Sequence, residues 1–162
     1  YNSFENKTEL VKEVTSYMFN NITTGITEIK KTSNNPISEI YDINLFLIKY
    51  LKNESVSPLY QLEKYYPLIH KEINKKQFDF ITKSTTLSLK NGIKLGLFRK
   101  DIQIDFISRL YFKGMIGIRD LDTFPTKLYN PAKLKIDFIE YHLRAIVTEK
   151  GLKQLNHFIK KN

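Results

Sequence analysis

Three histidines are the side chains here whose ordinary pKa lies nearest neutrality, so their spacing is the first test for acid–base or metal chemistry. His70, His142 and His157 lie far apart, no His-Glu-x-x-His run occurs, and the chain has no cysteine. Thiolate metal sites, disulfides and cysteine nucleophiles drop out together. Glu140 and His142 are two apart and point away from each other on a helix. We take His142, and still more His70 and His157 on lysine-rich stretches, as packed or hydrogen-bonded histidines on a helix face rather than ligands. Ser84-Thr85-Thr86 is a polar patch among Phe80, Leu87 and Leu89. In a helix such hydroxyls usually satisfy local carbonyls, and the sharper alternative is that they face a cavity. Gly92 and Gly96 make no phosphate loop, because no Gly-Lys-Ser/Thr follows them. Gly114 and Gly117 stand three apart in a helical pattern, where glycine costs about 1 kcal/mol relative to alanine. Close approach of a second helix, within or between chains, would compensate, as would an irregularity beside a pocket. No convergent acid, base and nucleophile emerges, so the expectation is a protein that is not an enzyme and that holds no metal or cofactor.

The elements that position these residues are helical nearly throughout. Leu10, Val14, Tyr17, Asn21, Gly25 and Ile29 recur at spacings of three and four, with Val11, Met18, Ile22 and Ile26 beside them, which predicts a long first helix. Asn6 followed by Glu9 is a capping-box variant that starts it, with Lys7 in its first turn. Pro36 opens a second helix through Leu51, Pro58 a short third, and Pro67 a long fourth that Gly96 stops in the left-handed conformation, with Leu97 folding back. A fifth runs from Ile104 to Ile118 and a sixth from Leu134 to Ile146; Gly151 then separates a short tail. Asn91-Gly92 lies inside a helical pattern, so no hairpin is expected. The whole is all-α, a bundle of about six or seven helices.

Composition bounds the rest. With 162 residues, 41% of them hydrophobic, the chain supports one domain with a real core. No run is long and apolar enough to span a membrane, and a cytoplasmic address is expected. The net charge of +9 invites a nucleic-acid partner. We discount it by more than half, because abundant Lys, Asn, Ile, Tyr and Phe with no Trp is the bias of an AT-rich genome. The lysines, such as Lys71, Lys75, Lys83 and Lys90, are scattered as on a solvated face.

Three stretches share a pattern with a known family. The opening Tyr-x-x-Phe-x-Asn-Lys-x-Glu-Leu of "YNSFENKTELVKEV" resembles the junction between the DNA-binding head and regulatory body of TetR-family regulators. "NGIKLGLFRKDI" is similar to that family's Gly-rich helix end, and "EYHLRAIVTEKGL" to a C-terminal helix of one of its branches. The three occur in the family's order across nearly the whole chain. The chain begins on Tyr1 rather than on methionine, and the resemblance implies that a helix-turn-helix precedes it. Residues 1–6 would then be the remnant of the head, and residues 7–162 the ligand-binding and dimerisation domain.

The resemblance implies a ligand-responsive transcriptional regulator, a repressor, whose operator DNA is gripped by the missing head. Tyr1 and Lys7 would touch the DNA backbone. It further implies a homodimer formed through a four-helix bundle, with Ile107, Leu110, Gly114, Gly117, Phe138, Tyr141 and Ala145 at the interface. A small molecule of unknown identity would enter a cavity, for which Tyr17, Asn21, Phe46, Phe80, Thr85, Phe112 and Met115 are the candidates. The alternative is a dimeric all-α interaction module without a small-molecule ligand, which predicts a solidly packed interior.

Overall fold

Pro36, Pro58, Pro67 and Pro131 each open a helix in the computed structural model, which describes residues 6–51 and 58–161. Proline is tolerated there because the first-turn N–H it lacks has no intrahelical partner. The helices are α1 (Lys7–Thr32), α2 (Pro36–Tyr50), α3 (Pro58–Tyr65), α4 (Pro67–Lys94), α5 (Ile104–Gly117), α6 (Pro131–Ile146) and α7 (Glu149–Lys161). Asn6 Oδ1 accepts the Glu9 N–H at 2.9 Å, the expected start of α1. Asn35 Oδ1 likewise accepts from Ile37 and Ser38 at 2.9 and 3.0 Å, and Asn130 Oδ1 from Lys133 at 3.0 Å.

Gly96 ends α4 as expected. Its φ is +72°, and the Leu97 and Gly96 N–H groups donate back to Gly92 and Ile93 at 2.8 and 3.0 Å, a Schellman closure. Leu97 and Phe98 turn inward, and Phe98 forms an isolated antiparallel bridge with Val147. No longer β pairing occurs among the described residues. The tail departs from expectation, since Gly151 does not separate it but lies within α7. The break falls at Val147-Thr148, where Thr148 Oγ1 accepts the Gly151 N–H at 3.1 Å and donates to Gly96 O at 2.6 Å. Gly151 is small for packing, because a Cβ there would stand 2.1 Å from the Leu97 carbonyl oxygen.

Two apolar clusters of unequal size result. The larger joins Ile37, Tyr41, Leu89, Leu97, Phe98, Ile139, Leu143, Ile146 and Leu155, from α2, α4, the α4–α5 turn, α6 and α7. The smaller, Leu62, Ile69 and Ile73, ties α3 to α4 with Val11 and Phe19 of α1 against it. A polar knot fastens α1, α2 and α4: Lys30 Nζ donates to Glu39 Oε1 at 2.8 Å, to Ser88 Oγ at 2.6 Å and to the Ser84 carbonyl at 3.2 Å. Ser88 also donates to Glu39, which leaves this half-hidden ion pair well satisfied.

Candidate functional site

Between α1 and the rest of the bundle the side chains do not close. A cavity of about 1450 Å³ extends from Lys7 at the start of α1 to Ile26, and is bounded by the end of α2, α3, the middle of α4 and the α5–α6 corner. Its size exceeds the roughly 300–1,000 Å³ of ordinary ligand clefts. The apolar residues of the α1 wall are Leu10, Val11, Val14, Met18, Phe19, Ile22 and Ile26, all but Phe19 within the stripe read from the sequence. Phe19 meets Phe80 edge-on across the space at 6.4 Å between ring centres.

Of the seven residues proposed for a pocket, Phe80 and Met115 line this cavity. Both also border a second cavity of about 70 Å³, where Thr85 lies with Ser84, Ser88 and His142. The remaining four line neither of the two. Tyr17 is 67% exposed. Asn21 donates to the Tyr50 hydroxyl at 3.4 Å, and Phe46 packs on α1 where Gly25 leaves room for its ring. Phe112 is core, edge-on to Phe78 at 5.2 Å. Period alone does not separate the α1 cases, because Tyr17 and Asn21 follow the cavity-lining Leu10 and Val14 by two helical turns and share their angle about the axis. The polar patch divides as well. Ser84 and Thr85 border the small cavity, whereas Thr86 bonds Ser108 at 3.0 Å.

His142 is enclosed between Tyr111 and Phe138, at 4.7 and 6.4 Å between ring centres. Burial pushes its pKa down to about 4, so it is neutral at pH 7. Tyr111 is buried and its phenol pushed up to about 12, with the Asn44 amide donating to its hydroxyl at 3.4 Å in partial opposition. No cluster of His, Asp or Glu suited to a metal exists among the described residues.

Sequence reasoning passed over Arg119 and Lys135, the charged side chains on the inner wall. Burial lowers both pKa values, and for Lys135 the nearby Arg119 charge adds to it. For Lys135 the signal was present in the pairing pattern. Arg109, Lys133, Arg144 and Lys153 each have an acid four residues away and hold it. The neighbours of Lys135 at three and four residues are Pro131, Ala132, Phe138 and Ile139, and none can pair with it.

The proposed interface residues fall into two groups. Leu110, Tyr141, Gly117 and Ala145 are exposed, Tyr141 by 75%, and a Cβ on Gly117 would meet nothing. With Phe106, 60% exposed, they form an apolar outer face on α5 and α6. Gly114 instead makes room for Phe138 of the same chain, whose ring would lie 2.3 Å from a Cβ there, and Ile107 packs against the larger core. Lys7 is exposed at the cavity rim, while Tyr1 and Phe4 lie outside the described residues. No helix among the described residues is long and apolar enough to cross a membrane.

No protein-family model and no curated protein sequence matches the chain. Among solved structures it is similar to the ketosteroid transcriptional regulator KstR2 of Mycobacterium tuberculosis, with a TM-score of 0.56 at 20% sequence identity, over 92% of this chain and 77% of that one. At that identity the likeness establishes the architecture: the chain has an all-α, TetR-like fold.

Proposed function

We propose that residues 7–162 are the ligand-binding and dimerisation body of a small-molecule-responsive transcriptional repressor, with residues 1–6 the end of its helix-turn-helix head. The observation that carries this reading is the cavity of about 1450 Å³ whose wall is α1, the helix that begins at the head junction. A ligand that prefers one tilt of α1 shifts the spacing of two heads in a dimer, and with it operator affinity. That a transcriptional regulator shares the fold adds support. A purely structural interaction module gives no reason for so large a space, so the cavity counts against that alternative.

The test uses the protein with the residues encoded upstream of Tyr1. Selection of bound genomic DNA fragments should recover one recurrent, two-fold symmetric site, and failure to retain any sequence preferentially rejects the regulator. Ile22→Trp, which narrows the cavity at the α1 wall, should keep DNA binding and weaken its release by whatever compound releases the parent protein.

A further inference from the structure

Positive charge on the cavity wall has no carboxylate to answer it. The charged side chains lining it are Lys7, Arg119 and Lys135, and no Asp or Glu lines it among the described residues. Lys7 stands exposed at the rim, whereas Arg119 and Lys135 come from the two sides of the α5–α6 corner. Neither of these two forms an ion pair among the described residues. Arg119 gives its Nε–H to the Met115 carbonyl at 3.2 Å, and its terminal nitrogens have no hydrogen-bond partner among the described residues. Two cations at the wall of an apolar space, neither with an ion-pair partner among the described residues, are an arrangement that folding alone does not favour.

We propose that the cavity takes an amphipathic anion: an elongated apolar body whose terminal carboxylate or phosphate group rests between Arg119 and Lys135. The inference depends on the cavity being a ligand site, as argued above. A guanidinium presents a planar fork matched to either oxyanion, and an ammonium adds a compact charge beside it. The first turn of α6, at Pro131 and Ala132, borders the same space and contributes the positive end of a helix dipole. The apolar α1 wall receives the rest of the molecule.

Three probes with one common tail test this on the delipidated chain by calorimetric titration: palmitate, hexadecyl phosphate and hexadecanol. At least one anion should bind about ten- to a hundredfold more tightly than the alcohol, the range expected of charge-assisted hydrogen bonds. Preference for palmitate assigns the head group as a carboxylate, and preference for the phosphate as a phosphate ester. In Arg119→Gln/Lys135→Gln the preference should fall to near unity. Lys135→Gln alone should raise the melting temperature of the empty protein while shrinking the rise that the anion induces; a merely structural lysine would move both the same way. Equal affinity for all three probes overturns the anion while leaving the cavity as an apolar ligand site. Binding of none overturns both. The comparison of probes on the unmodified chain stands even if the double variant fails to fold.

Discussion

At the scale of single residues, two positions convert packing into measurable energy. Gly151 sits in α7 against backbone, since a Cβ would lie 2.1 Å from the Leu97 carbonyl oxygen and 3.1 Å from Val147 Cβ. Alanine gains about 1 kcal/mol of helix propensity over glycine, but backbone cannot rotate aside as a side chain does. Gly151→Ala should therefore cost a net of about 2 kcal/mol, read as a lower midpoint in urea unfolding. His142 acts through protons. Its folded pKa of about 4 lies below its ordinary value of 6.5, so between those two pH values the unfolded chain binds a proton that the native one refuses. Stability then falls as pH drops through that window, by on the order of 2–3 kcal/mol from this group. His142→Phe keeps the ring among Tyr111 and Phe138 and should remove that part of the slope between pH 6.5 and 4. An unchanged difference between unfolding curves at the two ends would show that His142 is protonated in the native state.

Helix by helix, the sequence was most legible where local chemistry and period agree. Asn6, Pro36, Pro67 and Gly96 mark boundaries through their own local preferences, and the α1 stripe marked the long first helix. Gly151 misled because a glycine needed for close approach looks the same in sequence as one that ends a helix. The pocket residues were less legible, since Tyr17 and Asn21 share their angle about α1 with the cavity-lining Leu10 and Val14 and are set apart by what neighbouring helices cover, as the Asn21–Tyr50 bond shows. Lys135 would have been found by asking which basic residues lack an acid a turn away, whereas Arg119, with Asp122 three residues on, would not. Gly117 belongs to the proposed pairing face with Phe106, Leu110, Tyr141 and Ala145, and it has nothing within 4 Å of a Cβ. Gly117→Leu should leave the melting temperature of the protomer fold intact yet reduce the mass in solution from dimer to monomer, measured by light scattering. A dimer that survives this change would remove α5 around Gly117 from the interface. Because Gly114 is spent on Phe138, the same substitution at Gly114 would not discriminate.

For the whole molecule the unequal cores set the order in which it loosens. α6 and α7 are anchored by Ile139, Leu143, Ile146 and Leu155, each no more than 2% exposed, whereas α1, with 26 residues, has Ile26 as its buried residue. The first half of α1 and α3 rest on the small cluster of Leu62, Ile69 and Ile73 and border the large cavity. Local opening follows such differences in buried apolar contact. Backbone amides of α1 before Ile22 and of α3 should therefore exchange with deuterium well before those of α6 and α7. The Lys30–Glu39–Ser88 knot pins the far end of α1 to α2 and α4, so protection should rise along α1 toward Lys30. Occupation of the cavity supplies the contacts this half lacks and should slow exchange there more than in α6 or α7. That gradient is what a moving lever requires: a fixed end at Lys30 and a free end at Lys7, where the DNA-binding head is proposed to join. Uniform protection along α1, or protection by ligand confined to α6 and α7, would leave no element able to carry a signal from the cavity to the head.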